Sequence, residues 1–279
     1  MPIKTFTLQK LYPGVEVTYP SELCSEKELL EFRAFKEWLE TMQTSTDLQR
    51  SDQNHPFHPK KQQYSLKSIL IQSVDRFNGK DIGFVKMSTT ISNAEKPDKS
   101  LPGIVFLRGG SVAILMIIQQ EGRDERSVVM TEQPRIPAGS LRFYEIPAGM
   151  IDNEGTFAGA AAKELYQETG LRVAAHELID MTAMALEKSR LPEQHLQKAM
   201  YPSPGGCDEF ISLMLWQKLM SHTEIDEITK KLHGVGDEQI HTKLVNYNEL
   251  WSEGARDAKT LAAWALYEGL IRAGSLERF

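Results

Sequence analysis

The segment that most constrains this chain runs from residue 144 to residue 173, YEIPAGMIDNEGTFAGAAAKELYQETGLRV. Apolar side chains recur every four residues along one stripe of it, at Phe157, Ala161 and Leu165. With Gly170 where a helix would end, this spacing predicts a helix over about 156–169. Glu164 and Glu168 then project from one face, a single turn apart, within reach of one hard cation such as Mg²⁺.

Two glutamates four residues apart are common on solvated helices, so this pair by itself does not indicate a metal site. Its surroundings favour one. A glycine-containing PAG loop ends the strand before the helix, and a backbone carbonyl near Ala148 can turn toward the same cation. Oxygen donors of this kind suit Mg²⁺.

Composition excludes several classes of function. Among the 279 residues, 32 basic side chains face 38 acidic ones, which gives a net charge of −6. This balance gives no global support for binding nucleic acid or an anionic membrane, so a polyanionic substrate would require a metal or a local basic pocket. With two cysteines and no apolar stretch in the opening MPIKTFTLQK, we expect a reducing, cytoplasmic location. An organellar protein whose targeting segment has been removed would look the same.

The pattern of elements predicts two domains. Ser25 and Glu28 form a capping box at the start of an amphipathic helix, residues 45–64 read as a polar linker, and Asn78-Gly79 predicts a β-hairpin. A second polar stretch places the boundary of an N-terminal domain near residue 100, so we predict domains over 1–100 and 101–279.

The second of these domains shows strands, a helix, further strands and a final helix near 257–273. This order predicts an α+β fold, an α/β/α sandwich, rather than a doubly wound parallel sheet.

The segment described first resembles the Nudix box, whose family pattern is Gly-x5-Glu-x7-Arg-Glu-U-x-Glu-Glu-x-Gly-U, with U a bulky aliphatic residue. Without gaps, the matching positions are Gly149, Glu164, Leu165, Glu168, Gly170 and Leu171. Gly155 stands where the first Glu is expected, with Glu154 beside it. Lys163 replaces the Arg and loses its planar fork. Gln167 replaces the first of the paired glutamates, which removes one negative charge from the metal site.

The resemblance extends over roughly residues 65–275 to the ADP-sugar diphosphatase branch of the Nudix hydrolases, which includes plant enzymes that cleave ADP-glucose and ADP-ribose. Such plant enzymes also depart from the strict box at its first Glu. The stretches that carry it are KSILIQSVDRFNGKDIGFVK, PGIVFLRGGSVAIL, VVMTEQPRIPAGSLRFYEIPAGMID, PSPGGCDE and DAKTLAAWALYE. The resemblance implies a Nudix-type sandwich with an N-terminal helix-plus-hairpin domain.

It also implies an activity and a metal site. The expected reaction is Mg²⁺-dependent hydrolysis of the pyrophosphate bond of an ADP-sugar, giving AMP and a sugar 1-phosphate. Glu164, Glu168 and the Ala148 carbonyl would hold Mg²⁺, with Mn²⁺ as an alternative. Glu238, or Asp237 beside it, would position or deprotonate the attacking water, so that Glu238, Glu164 and Glu168 form the catalytic set.

The substrate-binding residues implied by the resemblance lie in three other stretches. Arg135, in EQPR, would neutralise substrate phosphate, and Arg108, in LRGG, would lie near the nucleotide. Glu145 would be a polar contact or would support the metal site, with a structural salt bridge as the alternative. Asp208 and Glu209, after a glycine turn, are predicted to bind substrate rather than to form a plain hairpin.

Assembly and rival functions complete the expectations. The N-terminal helix carries a wide apolar stripe that includes Phe32, Phe35 and Trp38, and in related enzymes this region builds a homodimer, so we expect a homodimer. Packing of the stripe within the chain itself is the alternative. The rival functions are a UDP-sugar pyrophosphatase, a Nudix module that binds a nucleotide sugar without cleaving it, and a scaffold that recruits partners through the N-terminal helix.

Overall fold

A computed structural model describes residues 2–60, 63–93, 95–96, 98–151, 156–191, 194–230, 232–233 and 240–279. The chain forms two compact units. The first comprises Met1–Gly109, Glu193–Gln197 and Ser203–Glu209, and the second comprises Gly110–Pro192, Lys198–Pro202 and Phe210–Phe279. No helix within the described ranges is long and apolar enough to cross a bilayer.

The first unit packs two helices on one sheet. Its strands are β1 (Ile3–Thr7), β2 (Glu16–Pro20), β3 (Tyr64–Phe77), β4 (Asp81–Asn93), β5 (Ser100–Leu101) and β6 (Ile104–Leu107), and its helices are α1 (Glu26–Glu31) and α2 (Arg33–Ser51). Strands β1 to β4 are neighbours in chain order, and both β5 and β6 pair with β4. The β2–β3 pairing is parallel, and the other pairings are antiparallel.

Local sequence signals in this unit are confirmed where they concern turns and caps. Asn78 and Gly79 have φ values of 51° and 67°, the left-handed conformation that a tight hairpin between β3 and β4 requires. Ser25 and Glu28 form the predicted capping box. The helix that they begin is interrupted at Phe32, whose backbone is extended, so the predicted single helix is two helices.

The predicted linker over 45–64 is wrong in its first part, because α2 continues to Ser51. The Gln49 side chain explains the extension. Its amide nitrogen donates to the Tyr64 carbonyl at 2.8 Å, and its oxygen accepts from the Tyr64 N–H at 2.9 Å. A tertiary contact thus holds the helix end against the start of β3.

The division of the chain also differs from the predicted boundary at residue 100. The first unit extends to Gly109 because β6 pairs with β4, with Leu107 opposite Val85. Residues 203–209 join the same unit, since the Phe106 N–H donates to the Gly206 carbonyl at 2.8 Å. The roles assigned to the two domains, dimerisation and hydrolysis, stay predictions.

The second unit is built on a larger sheet. Its strands are β7 (Gly110–Gln120), β8 (Arg126–Arg135), β9 (Ser140–Glu145), β10 (Ala148–Met150), β11 (Ile179–Asp180), β12 (Phe210–Met220), β13 (Leu232–His233) and β14 (Ile240–Asn246). Its helices are α3 (Phe157–Thr169), α4 (Met181–Leu186), α5 (His222–Lys230), α6 (Leu250–Glu253) and α7 (Ala258–Arg272). The strand order is β11-β12-β7-β8-β14-β13, with β10 on β7 and β9 on β8.

Helices cover both faces of this sheet, which explains the continuous apolar run along β7. Alternate β7 residues such as Leu115 share one core with Tyr267 of α7, while their neighbours such as Ile114 share another with Leu165 of α3. Because successive strand residues point to opposite faces, a strand buried on both sides is apolar throughout. The predicted α/β/α sandwich is confirmed.

Candidate active site

Helix α3 begins and ends as its sequence predicts. The Thr156 hydroxyl accepts from the Gly159 N–H at 3.1 Å, which caps the start, and Gly170 ends the helix with a φ of 73°. The intervening residues place Glu164 and Glu168 one turn apart on the helix.

The PAG segment follows β9: Pro147 precedes β10, Ala148 and Gly149 begin it, and Ala148 meets α3 at Glu168. Strand β10 is held on β7 with Ala148 opposite Ala113, and the Pro147 carbonyl accepts from the Ile114 N–H at 2.9 Å. The Ala148 N–H donates to Glu168 Oε2 at 3.0 Å. Ala148 and Glu168, which are 20 positions apart in the sequence, are therefore adjacent in the structure.

Glu168 is buried, with 4% of its surface exposed, and its second oxygen accepts from the Gln133 side-chain amide at 3.3 Å. A buried carboxylate requires hydrogen-bond donors or cations around it. Strand β8 therefore takes part in the site through Gln133, a residue that the sequence reading did not select.

Carboxylate and carbonyl oxygens, as Glu168 and Ala148 provide, are the type of ligand that a hard divalent cation prefers. A carboxylate of α3 lies against the loop residue whose carbonyl is the other predicted ligand, and the second glutamate is one turn earlier on the same helix. The Glu164 side chain and the whole of Glu238 lie outside the described residues, as does Asp237. The side chains that are described contain no cluster of three His, Cys, Asp or Glu residues able to hold a metal.

Arg135 and Glu145, both predicted to serve the substrate, are brought together by the antiparallel pairing of β8 with β9. Arg135 Nε donates to Glu145 Oε1 at 2.6 Å. The other oxygen of Glu145 accepts from the ammonium group of Lys259, at the start of α7. The salt bridge considered as an alternative for Glu145 is thus present, and it includes a residue that the sequence reading missed.

The first turn of α7 is tied to this carboxylate through its cap. Asp257 Oδ2 accepts from the Thr260 N–H at 3.1 Å, and Asp257 Oδ1 accepts from Lys259 at 2.9 Å. The Thr260 hydroxyl in turn accepts from the Ile146 N–H at 3.1 Å. The stretch DAKT, already singled out as part of the family resemblance, was the available signal for Lys259 and Thr260.

Arg108, Asp208 and Glu209 form a cluster of their own in the first unit. Arg108 Nε lies 2.8 Å from Glu209 Oε1, and its guanidinium lies 5.9 Å from the centre of the Phe84 ring. Asp208 Oδ1 accepts from the N–H groups of Arg108 and Gly109 at 2.6 and 3.1 Å. Substrate binding by this cluster stays a prediction.

Burial raises the pKa of the Asp208 carboxyl, while the two backbone N–H groups act in the opposite direction. Burial likewise raises the pKa of the neighbouring Cys207 thiol. A raised pKa disfavours the thiolate, the form in which cysteine acts as a nucleophile. The Asp208 carboxylate also holds the backbone of Arg108 and Gly109, directly after β6, through the N–H contacts given above.

Comparison with known proteins shows the family of this chain. A model of the NUDIX domain matches residues 107–264. Nudix hydrolase 14, chloroplastic, of Arabidopsis thaliana is 34% identical over 251 residues, which cover 89% of this chain and 74% of that protein. The crystal structure of an ADP compounds hydrolase is similar with a TM-score of 0.50 at 12% identity, over 76% of this chain and 97% of that one. The latter likeness concerns the fold alone.

Proposed function

This chain belongs to the NUDIX family of hydrolases, and from that premise we propose that it hydrolyses the pyrophosphate bond of ADP-sugars, such as ADP-ribose or ADP-glucose. The products would be AMP and a sugar 1-phosphate. The observation that carries the proposal is the contact between the Ala148 N–H and Glu168 Oε2, which brings the PAG loop to the Glu168 carboxylate of α3.

The substrate class is supported by the resemblance of five stretches of the chain to ADP-sugar diphosphatases. UDP-sugars are the alternative, and a panel of nucleotide sugars separates the two.

The binding residues of this chain supply what a dianionic pyrophosphate requires. Arg135 offers a guanidinium whose terminal nitrogens can hydrogen-bond two phosphate oxygens, and Glu145 fixes that guanidinium through Nε. Glu168, Glu164 and the Ala148 carbonyl would hold Mg²⁺, with Mn²⁺ as a substitute. A bound Mg²⁺ neutralises charge on phosphate oxygens and favours attack on phosphorus.

The proton of the attacking water must go to a base. Glu238 is the proposed base, with Asp237 as the alternative, on the strength of the family resemblance. In-line attack by water on one phosphorus then breaks the bond to the bridging oxygen, which leaves as part of the second phosphate product.

The test is a panel of ADP-sugars and UDP-sugars incubated with Mg²⁺, with chromatography of the products and one reaction in heavy-oxygen water to locate the attack. Glu164→Gln is expected to lower Mg²⁺-dependent turnover by roughly 10²- to 10³-fold, the loss expected when charge stabilisation at the reacting centre is removed. Glu253→Gln, an exposed position on α6, is the matched control and should leave turnover unchanged. Turnover by Glu164→Gln equal to that of the unaltered protein would refute the assignment.

A non-catalytic nucleotide-sugar-binding module is the second candidate, because Gly155, Lys163 and Gln167 depart from the family pattern. It predicts tight binding of an ADP-sugar with negligible hydrolysis at saturating Mg²⁺. The enzyme is favoured because Glu164, Glu168 and Glu238 are all retained.

A homodimer and a cytoplasmic location complete the proposal. The aromatic stripe of α1 and α2 packs within its own unit, where Phe35 is buried and Phe32 and Trp38 are partly buried. A different apolar surface is open, since Leu70 of β3 and Ile104 of β6 are exposed on either side of Ser88. Sedimentation velocity at micromolar concentration is expected to show a dimer, and a monomer would contradict this part of the proposal.

A further inference from the structure

The guanidinium of Arg135 is anchored at one nitrogen and available at the other two. Nε donates to Glu145 Oε1 at 2.6 Å, and 36% of the side chain is exposed. The two terminal nitrogens have no hydrogen-bond partner among the residues that the structure describes. A guanidinium held in this way presents its planar fork to two oxygens of an anion.

The anchor depends on a carboxylate that is almost fully buried. Only 2% of the Glu145 side chain is exposed, and each of its oxygens has one cationic partner. Oε1 binds Arg135, and Oε2 binds the ammonium group of Lys259. A buried carboxylate with one uncompensated oxygen is costly, so the second cation stabilises the orientation in which Oε1 faces Arg135.

Lys259 is itself held in place by the start of α7. Only 13% of its side chain is exposed, and its ammonium group lies 2.9 Å from Asp257 Oδ1. The other oxygen of Asp257 caps the helix through Thr260, whose hydroxyl receives the N–H of Ile146. The first turn of α7 therefore contacts the end of β9 twice. Lys259 binds the Glu145 side chain, and Thr260 binds the backbone N–H of Ile146.

We propose that Lys259 is a positioning residue: by occupying one oxygen of Glu145, it keeps Arg135 anchored through Nε alone, with the guanidinium fork open to substrate phosphate. This inference rests on the proposed function in that Arg135 is taken to bind the phosphates of a nucleotide sugar. Lys259 acts through Glu145 and Arg135 and does not itself contact the substrate.

Removal of the ammonium group has a definite consequence for Arg135. In Lys259→Met, which keeps most of the side-chain length, Glu145 retains Arg135 as its charged partner. Its carboxylate then turns to bind two nitrogens of the guanidinium, as bidentate pairs do. Arg135 has fewer N–H groups left for phosphate, so substrate binding weakens while the chemical step is little affected.

The experiment is a double-mutant cycle with Lys259→Met, Arg135→Ala and the two combined. Lys259→Met is expected to raise KM by roughly 10-fold, about the loss of one charge-assisted hydrogen bond, with kcat changed by less than about twofold. In the Arg135→Ala background the same substitution should leave KM unchanged, since the residue through which it acts is gone. An equal rise in KM in both backgrounds would overturn the inference.

Two further variants separate positioning from simple stabilisation. Lys259→Arg keeps a charged N–H donor and should restore a KM close to that of the unaltered protein. Lys218→Met, which removes the lysine of an exposed pair with Glu224, is the matched control and should change neither KM nor kcat. A lower melting temperature of Lys259→Met with unchanged KM would show a structural role alone and would contradict the proposal.

A binding measurement keeps this inference distinct from the proposed function. The affinity for ADP is measured by calorimetry without metal, in EDTA, across the same cycle. Coupling between the two substitutions in ADP binding, with no hydrolysis of any nucleotide sugar, would refute the proposed function and uphold the inference. Hydrolysis with independent effects of the two substitutions would do the reverse, and a protein that neither binds ADP nor hydrolyses the panel would refute both.

Discussion

The β8–β9 hairpin carries two arginine–glutamate pairs whose surroundings differ sharply. Arg135 binds Glu145 by Nε alone at 2.6 Å, and that carboxylate is shared with Lys259. Arg142 binds Glu132 through two nitrogens, at 2.8 and 3.0 Å. The side chain of Arg142 is 73% exposed and that of Glu132 18% exposed. In the other pair, the side chain of Arg135 is 36% exposed and that of Glu145 2% exposed.

The strand register explains why the two pairs do not share an environment. Glu145 lies opposite Thr131, and Glu132 lies opposite Tyr144. Because Thr131 and Glu132 are consecutive on one strand, and Tyr144 and Glu145 on the other, the two glutamates point to opposite faces of the hairpin.

The comparison shows that the number of partners of a carboxylate decides what its arginine can do. Glu132 accepts hydrogen bonds from two nitrogens of Arg142, so this guanidinium is bound by two of its nitrogens within the protein. Glu145 also accepts a hydrogen bond from Lys259 on its second oxygen, so Arg135 donates to Glu145 only through Nε. The same pair of residue types thus yields a surface ion pair on one face and, on the other, the guanidinium that we propose to bind phosphate.

The largest effect is expected when the buried carboxylate loses its charge. In Glu145→Gln, the amide NH₂ group faces either Arg135 or Lys259, so two hydrogen-bond donors meet. The negative charge that both cations share is also lost. We expect the free energy of unfolding to fall by about 3 kcal/mol, the lower end for breaking a buried ion pair, because Lys259 keeps Asp257. Urea unfolding followed by fluorescence measures this change.

Glu132→Gln is the matched control, because it makes the same substitution in the exposed pair. Its free energy of unfolding at pH 7 is expected to fall by about 1 kcal/mol or less, as is typical of surface ion pairs. Equal losses in the two variants would mean that burial does not distinguish the pairs.

A smaller effect is expected from the exposed pair, and it should appear as a change in how stability depends on pH in the acid range. Hydrogen bonds from Arg142, and then from Tyr144, lower the pKa of Glu132 from 4.5 to about 2. The unfolded chain binds this proton at a higher pH than the folded one, so stability rises with pH in this window. The contribution of Glu132 is present above about pH 4.5 and is lost as the pH falls toward 2.

Glu132→Gln should therefore show a flatter dependence of urea midpoint on pH between 5 and 3.5 than the unaltered protein. Arg142→Met, which removes the largest cause of the lowered pKa, should flatten the same limb. If both variants keep the full slope, the acid sensitivity of the protein arises from other carboxylates.

Much of the fold could be predicted from short stretches of sequence. Gly170 ends α3, Asn78-Gly79 joins β3 to β4, and the last helix, α7, begins near residue 257, as their patterns predict. Each of these signals acts within a few residues of its own position, through a cap or a backbone conformation. They are readable in a single sequence for that reason.

The candidate site was predictable only in part. The glutamates of α3 and the PAG loop were indicated by their spacing, but the partners Gln133 and Lys259 were not. Lys259 lies 114 residues from Glu145, and no local pattern reports that distance as a contact. The extension of α2 to Ser51 was missed for the same reason, since it depends on the contact of Gln49 with Tyr64.

The amino-acid sequence by itself determined the caps, the hairpin turn, the box helix and its glutamates, and the family to which they point. Only the tertiary structure decided that Glu145 is shared between Arg135 and Lys259 while Arg142 is the one arginine or lysine that pairs with Glu132 among the described residues. The physical reason is that helices and turns follow from interactions between near neighbours. The partners of a buried charge, by contrast, depend on which distant elements the folded core brings against it.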